Sequence, residues 1–183
     1  MPEGTVNYRD TLRDIAAYDH GIVTIANAEA VDVPAVEVRK LAQRGALERI
    51  GHGVYRFRHG FPRTRGTAEA EAVAIAGPGS LLEGESVLAL TDLGHANPAH
   101  IEVALTTQRR RQLPSWIAAT RRTTLKPADG THYHGVPSVT VRVALAQVRE
   151  RLPRQRWLEA LEKARRLDLV SAEEERELRT NGR

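Results

Sequence analysis

The chain has 183 residues, of which 41% are hydrophobic and 27% charged, and this composition excludes a disordered chain. No apolar run approaches the roughly 20 residues that span a bilayer, and the N-terminal segment lacks the features of a secretory signal. The absence of cysteine excludes disulfides, thiolate metal sites and thiol catalysis. We therefore expect a globular, cytoplasmic protein of one domain or two small ones.

Charge is segregated along the chain, although the formal net charge is only +4. Residues 39–65 contain eight Lys or Arg and one acid, and residues 104–126 contain six Lys or Arg and no acid. Between these blocks, residues 66–103 contain six acids and no Lys or Arg. Basic blocks of this kind indicate directed surface patches, with nucleic acid as one class of partner and solvated faces as the alternative.

Hydrophobic periodicity predicts three short helices near the N-terminus. They cover residues 8–19, 25–30 and 34–44. The Thr24 hydroxyl is placed to cap the second helix, and Pro34 suits the first turn of the third. Two alternating segments then predict a hairpin around Gly51-His52-Gly53, with strands over 46–50 and 54–57. This order is typical of a winged helix-turn-helix domain, which we predict over residues 1–60.

Residues 61–66 are polar, basic and broken by Pro and Gly, which predicts a linker to a second domain over 67–183. That domain is predicted to mix helices and strands, so the fold class is α+β with a larger mixed α/β C-terminal domain. The predicted helices begin near Thr67, Ser86, 142, 154 and 171, and the predicted strands cover 100–106 and 135–140. Ser80 and Glu83 have capping-box spacing, with a short strand as the alternative. The last helix has almost no apolar face, so we expect it to fray or to need a packing partner.

The third helix and the hairpin supply the candidate DNA contacts. The second helix of a helix-turn-helix motif enters the major groove, and the hairpin contacts the backbone. On a helical wheel, the face opposite Val38 and Leu41 carries side chains suited to base edges and phosphates, and Val36 suits a thymine methyl. The alternative is an ordinary solvated helix face. The predicted DNA-binding residues are Thr24, Val36, Arg39, Lys40, Gln43, Arg44, Arg49, His52 and Arg56.

Short motifs across the chain add a family resemblance. The stronger set is Gly21-Ile-Val-Thr24, Val33-Pro34, Leu41, Arg44-Gly45-Ala-Leu-Glu-Arg49 and Gly53-Val-Tyr-Arg56. The weaker set is Gly77-Pro78, the segment 86–94, His100-Ile-Glu-Val103, Gly135-Val-Pro137, Thr140 and Ala144-Leu145. Together they resemble AbiEi-type antitoxins. Pro34, Ala35 and Gln147 depart from the family pattern, so the resemblance assigns no contact at the start of the third helix.

The resemblance implies an antitoxin and autorepressor of a type IV toxin–antitoxin system. Its winged helix would bind inverted repeats in the promoter of its own operon. Its C-terminal domain would antagonise a nucleotidyltransferase-like toxin, with direct contact left open. The alternative is a winged-helix repressor whose C-terminal domain dimerises or senses a ligand and has no toxin partner.

The second basic block is the candidate surface for toxin antagonism. Its arginines are Arg109, Arg110, Arg111, Arg121 and Arg122. With no acid inside the block, their partners must lie elsewhere. Three partners remain open: the acidic stretch 66–103 of the same chain, DNA, or an acidic surface of the toxin.

No constellation typical of catalysis is complete, so we expect no enzyme, metal site or cofactor. His132 and His134 share one face of a strand but lack further ligands. Asp92 and Glu102 could begin a nuclease-like acidic set, yet Ala104 stands where a lysine is expected. Ser86 lies outside a GxSxG turn. A nucleic-acid enzyme with a divergent site remains a third hypothesis.

Overall fold

The computed structural model describes residues 7–108 and 112–180. These residues form eight α-helices and two β-sheets, the mixed helix and strand content predicted from the sequence. The chain divides into two compact units, Met1–Ile75 (unit 1) and Ala76–Arg183 (unit 2). Within the described ranges, none of the helices has the length and apolar character needed to cross a bilayer.

Unit 1 contains helices and strands in the order expected from the sequence, with one additional strand. Its elements are α1 (Tyr8–Ala17), β1 (Ile22–Thr24), α2 (Ile25–Glu29), α3 (Ala35–Gln43), β2 (Leu47–Gly51), β3 (Val54–Phe57) and α4 (Thr67–Ala76), whose last residue lies beyond the unit boundary. The three strands form an antiparallel sheet in the order β1-β3-β2. The predicted helices and hairpin are confirmed, with ends that differ by at most two residues.

Thr24 and Pro34 stand at the N-terminal ends of α2 and α3. The Thr24 hydroxyl oxygen accepts a hydrogen bond from the Asn27 N–H at 3.0 Å, which confirms the predicted cap. Pro34 is the N-cap of α3 rather than a residue of its first turn, and no side chain caps that end. A missing N–H is harmless at this position, since the first helical N–H groups have no intrahelical partner.

The core of unit 1 lies between the helices and the sheet. Leu12, Val23, Val38 and Phe57 belong to one cluster of buried side chains, one from α1, one from α3 and two from the sheet. Burying four such side chains contributes about 1.5–3 kcal/mol each before conformational entropy is subtracted. This packing orients α3, because its buried Val38 determines which face remains exposed.

Unit 2 is built on a five-stranded mixed sheet in the order β6-β5-β4-β8-β7. Its elements are β4 (Leu81–Leu82), α5 (Gly84–Leu90), β5 (Ile101–Leu105), β6 (Ile117–Arg121), β7 (Gly130–Tyr133), β8 (Val136–Val139), α6 (Val141–Val148), α7 (Arg154–Arg166) and α8 (Ala172–Thr180). The neighbours β5 and β6 run parallel, as do β4 and β8, and the other pairs are antiparallel. Between Ser80 and Glu83 the structure has the short strand β4, which was the predicted alternative to a capping box.

The last helix, α8, is docked rather than isolated. Ser171 and Glu174 form the predicted capping box, with N···O distances of 2.7 and 3.2 Å. Leu178 is buried, and α8 packs against α6 and α7. The Arg149 guanidinium donates to the Leu178 carbonyl, which satisfies an acceptor at the helix end. The expected need for a packing partner is therefore met within unit 2.

Candidate nucleic-acid interface

One face of α3 is exposed and carries three of the predicted contact residues. Val36, Lys40 and Gln43 follow helical spacing and are all exposed, and the apolar Val36 retains 49% of its accessible surface. Arg39 and Arg44 flank this face and are exposed as well. The inward side of the helix is anchored by Val38, which is fully buried. The apolar side chain is suited to contact a base methyl group, and the cations around it are suited to contact phosphates.

The charges on this face are only lightly paired. The Lys40 ammonium donates to the Glu37 carboxylate at 2.7 Å, and both side chains are accessible to solvent. A surface pair of this kind is worth about 0–1 kcal/mol, so a phosphate can replace the carboxylate at little cost. Within the described residues, Arg39 forms no ion pair, and its charge therefore faces solvent.

The tip of the β2–β3 hairpin presents a second, ordered polar group. Nε of Arg49 donates to the Gly51 carbonyl at 3.2 Å. Nη2 of the same guanidinium lies 3.3 Å from Nδ1 of His52. Because a guanidinium can only donate, Nδ1 of His52 is on the acceptor side of this contact. Gly53 has a φ of +70°, a conformation that closes the turn and favours glycine. Both exposed side chains are thus held at the hairpin tip.

Arg56 lies inside unit 1, away from the position that a phosphate contact requires. Its side chain is 11% exposed, its Nη2 donates to the Phe61 carbonyl at 2.7 Å, and its Nε lies 3.5 Å from Glu71 Oε1. Arg56 sits opposite Ile22, because the unpredicted strand β1 makes β3 the central strand of the sheet. All four residues of β3 are buried.

Thr24 lies beside the hairpin turn, and Arg58 extends the basic region of unit 1. Thr24 is paired with Val54, next to the hairpin turn, and its hydroxyl oxygen is occupied by the cap of α2. Arg58 was not singled out from the sequence. Its N–H donates to the Ala46 carbonyl at 3.2 Å, which places this exposed arginine just beyond the C-terminal end of α3, near Arg44. The only sequence feature that could have pointed to Arg58 as a DNA contact is its position in the basic block 39–65.

The second basic block is divided in its contacts. Arg109, Arg110 and Arg111 lie outside the described residues. Arg122 Nε donates to Glu83 Oε2 at 2.8 Å, so this arginine pairs with the acidic stretch of its own chain. Arg121 is exposed and has no ion-pair partner among the residues that the structure describes.

The two acids considered for a nuclease-like set pair with different cations. Glu102 accepts from Arg151 at 2.5 and 3.0 Å, and Asp92 accepts from Lys163 at 2.9 Å. The hydrogen bond with Glu102 raises the pKa of the Arg151 guanidinium above its ordinary value. Each of these carboxylates thus forms an ion pair within unit 2.

An exposed, cationic helix face beside a polar hairpin tip is typical of a DNA-binding regulator. Comparison with protein families agrees with this class. Residues 10–58 match the family described as "Transcriptional regulator, AbiEi antitoxin". The resemblance predicted from the motifs is confirmed for this range, which runs from α1 to the residue after β3.

No curated protein matches the sequence. Among solved structures, the crystal structure of RV2827C protein from Mycobacterium tuberculosis is similar with a TM-score of 0.49 and 17% sequence identity. That comparison covers 96% of this chain and 72% of the other.

Proposed function

We propose that this protein is a cytoplasmic antitoxin that represses its own operon and neutralises a nucleotidyltransferase-like toxin. In this proposal residues 1–60 form a winged helix-turn-helix domain, residues 61–66 a linker, and residues 67–183 the antitoxin domain, of which residues 67–75 belong to unit 1. The exposed face of α3 is the observation that carries the DNA-binding part. Its apolar and cationic side chains point away from the core while Val38 anchors the helix.

In the proposed complex, α3 enters the major groove of promoter DNA, with inverted repeats as the expected operator. Val36 contacts a thymine methyl, and Lys40 and Gln43 reach base edges. The flanking arginines of α3, together with Arg49 and His52 at the hairpin tip, contact phosphates and position the helix. Arg56 is left out of this interface because its guanidinium is buried beside Glu71.

The test of DNA binding compares Lys40→Ala and Gln43→Ala with a matched surface change, Arg166→Ala on α7. Affinity for the promoter fragment is measured by gel shift, with random DNA as the second substrate. Loss of a base contact costs about 1–3 kcal/mol and relaxes one operator position. We expect both α3 variants to lose affinity for the promoter while Arg166→Ala behaves as wild type. Unchanged affinity in folded α3 variants would refute the assignment of this helix.

The antitoxin part is tested separately by co-expression with a candidate toxin encoded beside this gene. Growth rescue by the chain, and by a variant that no longer binds the promoter, supports neutralisation as an activity distinct from repression. Promoter binding without rescue favours the alternative of a winged-helix repressor whose second domain dimerises or senses a ligand.

A further inference from the structure

We propose that the outer edge of β6 is an interaction surface that binds an extended, acidic polypeptide segment as an additional strand. This inference concerns unit 2 and is independent of DNA binding by unit 1. It rests on the backbone groups of β6, on the exposure of its side chains and on the charge at its end.

The first observation is the direction of the β6 peptide groups. The Ile101 N–H donates to the Trp116 carbonyl, and the Arg122 N–H donates to the Leu105 carbonyl at the other end of the pair. The even-numbered residues of β6 therefore face β5, because peptide groups alternate along a strand. Ala119 and Arg121 direct their N–H and C=O groups outward. Among the described residues, no backbone or side-chain partner meets these groups.

The second observation is that little blocks an approach to this edge. Natural sheets protect edge strands with proline, bulges or inward-pointing charges. β6 contains no proline, and its register with β5 is continuous from Ile117 to Arg121. Ala118, Ala119 and Thr120 are small and exposed on both faces, although strands in parallel pairs are usually covered. An added strand would find a ladder of continuous register and, within β6 itself, small side chains at the middle three positions.

The third observation fixes the chemistry of the partner. Residues 112–126 contain three cations and no acid. Arg122 is paired with Glu83, whereas Arg121 is exposed at the end of the strand without an ion pair in the described part of the chain. Trp116, 38% exposed at the other end, offers an apolar surface. These side chains favour a strand with a carboxylate opposite Arg121 and an apolar residue near Trp116.

The same features disfavour the two other occupants. A second copy pairing through its own β6 would offer no carboxylate to Arg121, because this segment contains no acid. Nucleic acid gains nothing from outward carbonyl groups, which present negative dipoles toward phosphates. A polypeptide strand satisfies both the donors and the acceptors of the edge.

The test uses the full chain and a short, blocked peptide of alternating valine and glutamate as the probe. Amide hydrogen exchange of the wild-type chain is measured with and without the peptide. We expect exchange to slow at Ala119 and Arg121, whereas Ala118 and Thr120 change little because β5 already binds their N–H groups. A peptide with lysine in place of glutamate is the charge control, and we expect it to bind at least tenfold more weakly.

A substitution pair isolates the backbone contribution. Ala119→Pro removes an outward N–H and leaves the ladder with β5 intact, and Ala119→Val keeps that N–H. We expect at least tenfold weaker peptide binding for Ala119→Pro only, with normal promoter binding and circular dichroism in both variants. No peptide binding at millimolar concentration, or exchange protection elsewhere in the chain, would overturn the proposal. A dimer of the chain that Ala119→Pro abolishes would also overturn the proposal, because the edge would then pair with a second copy. DNA binding that is lost in Arg121→Glu but kept in Ala119→Pro would overturn it as well, because the surface would then bind nucleic acid. If Ala119→Pro misfolds, the exchange pattern of the wild type still decides.

Discussion

The buried ion pair between Arg56 and Glu71 gives the sharpest stability prediction for unit 1. The two side chains are 11% and 9% exposed. Glu71, on α4, also accepts a hydrogen bond at Oε2 from Arg63 Nη1 at 3.2 Å. Glu71→Ala leaves the Arg56 guanidinium buried without its counter-ion. Removing one member of a buried pair costs about 3–5 kcal/mol, because the remaining charge keeps its desolvation penalty. We expect a loss in this range for unit 1.

The location of the tryptophans allows the loss of stability to be assigned to one unit. The chain has two tryptophans, and both, Trp116 and Trp157, lie in unit 2. Tryptophan fluorescence therefore reports the unfolding of unit 2, and far-ultraviolet circular dichroism reports both units. Each kcal/mol lowers the melting temperature of a domain of this size by roughly 4–8 °C. For Glu71→Ala, we expect an early circular dichroism transition, roughly 12 °C or more below wild type, without a matching change in fluorescence.

Two further variants complete the experiment. Glu69→Ala, on the same helix and without an ion pair among the described residues, is the matched control and should unfold as wild type. The double variant Arg56→Met with Glu71→Leu removes both charges, and we expect it to be more stable than Glu71→Ala. A loss below about 1 kcal/mol for Glu71→Ala, the range of a surface pair, would show that the buried charge is not a determinant of stability.

Three other measurements test separate parts of the molecule. Replacing Arg49 and His52 by Ala should weaken binding to promoter and random DNA by similar factors and make the salt slope shallower, because phosphates carry no sequence information. Glu83→Ala should destabilise unit 2 by about 1–3 kcal/mol in fluorescence-detected unfolding, since the carboxylate accepts from Arg122 and Gln147 and the half-exposed Arg122 regains water. Burial raises the pKa of the Asp19 carboxyl, with His20 opposing, so its charged form weakens folding at neutral pH. Asp19→Asn should stabilise unit 1 there, and the gain should shrink as pH falls, because the wild-type carboxyl then takes up its proton.

The longer amphipathic elements were predictable because their periodicity is local. The predicted exposure of Val36, Lys40 and Gln43 on α3 is confirmed, because burial of Val38 determines which face of the helix remains exposed. The hairpin and the capping box at Ser171 were predictable for the same reason. Turn and cap residues act on their immediate neighbours and need no tertiary information.

The missed strands were too short or too irregular to leave such a pattern. β1 has three residues, and in β6 only Ile117 is buried, so neither shows a full alternation. The burial of Arg56 was likewise not visible in a local pattern. β1 makes β3 the central strand, which is a matter of backbone pairing. The side chain of Arg56 is instead covered by Phe61 and Glu71, which follow it in the chain, so contacts made by later residues decide its environment.

Ion pairing within the chain limits what the charge count can mean for DNA affinity. The basic block 39–65 contains eight cations, and eight phosphate contacts would give a salt slope of about −7. Arg56 and Arg63, however, share the carboxylate of Glu71, and Lys40 is bound to Glu37. Arg56 is buried and makes no such contact, and each exposed pair must exchange its partner before its cation reaches a phosphate. The slope per chain should therefore be shallower than the sequence count implies, and this difference separates surface charge from charge that stabilises the fold.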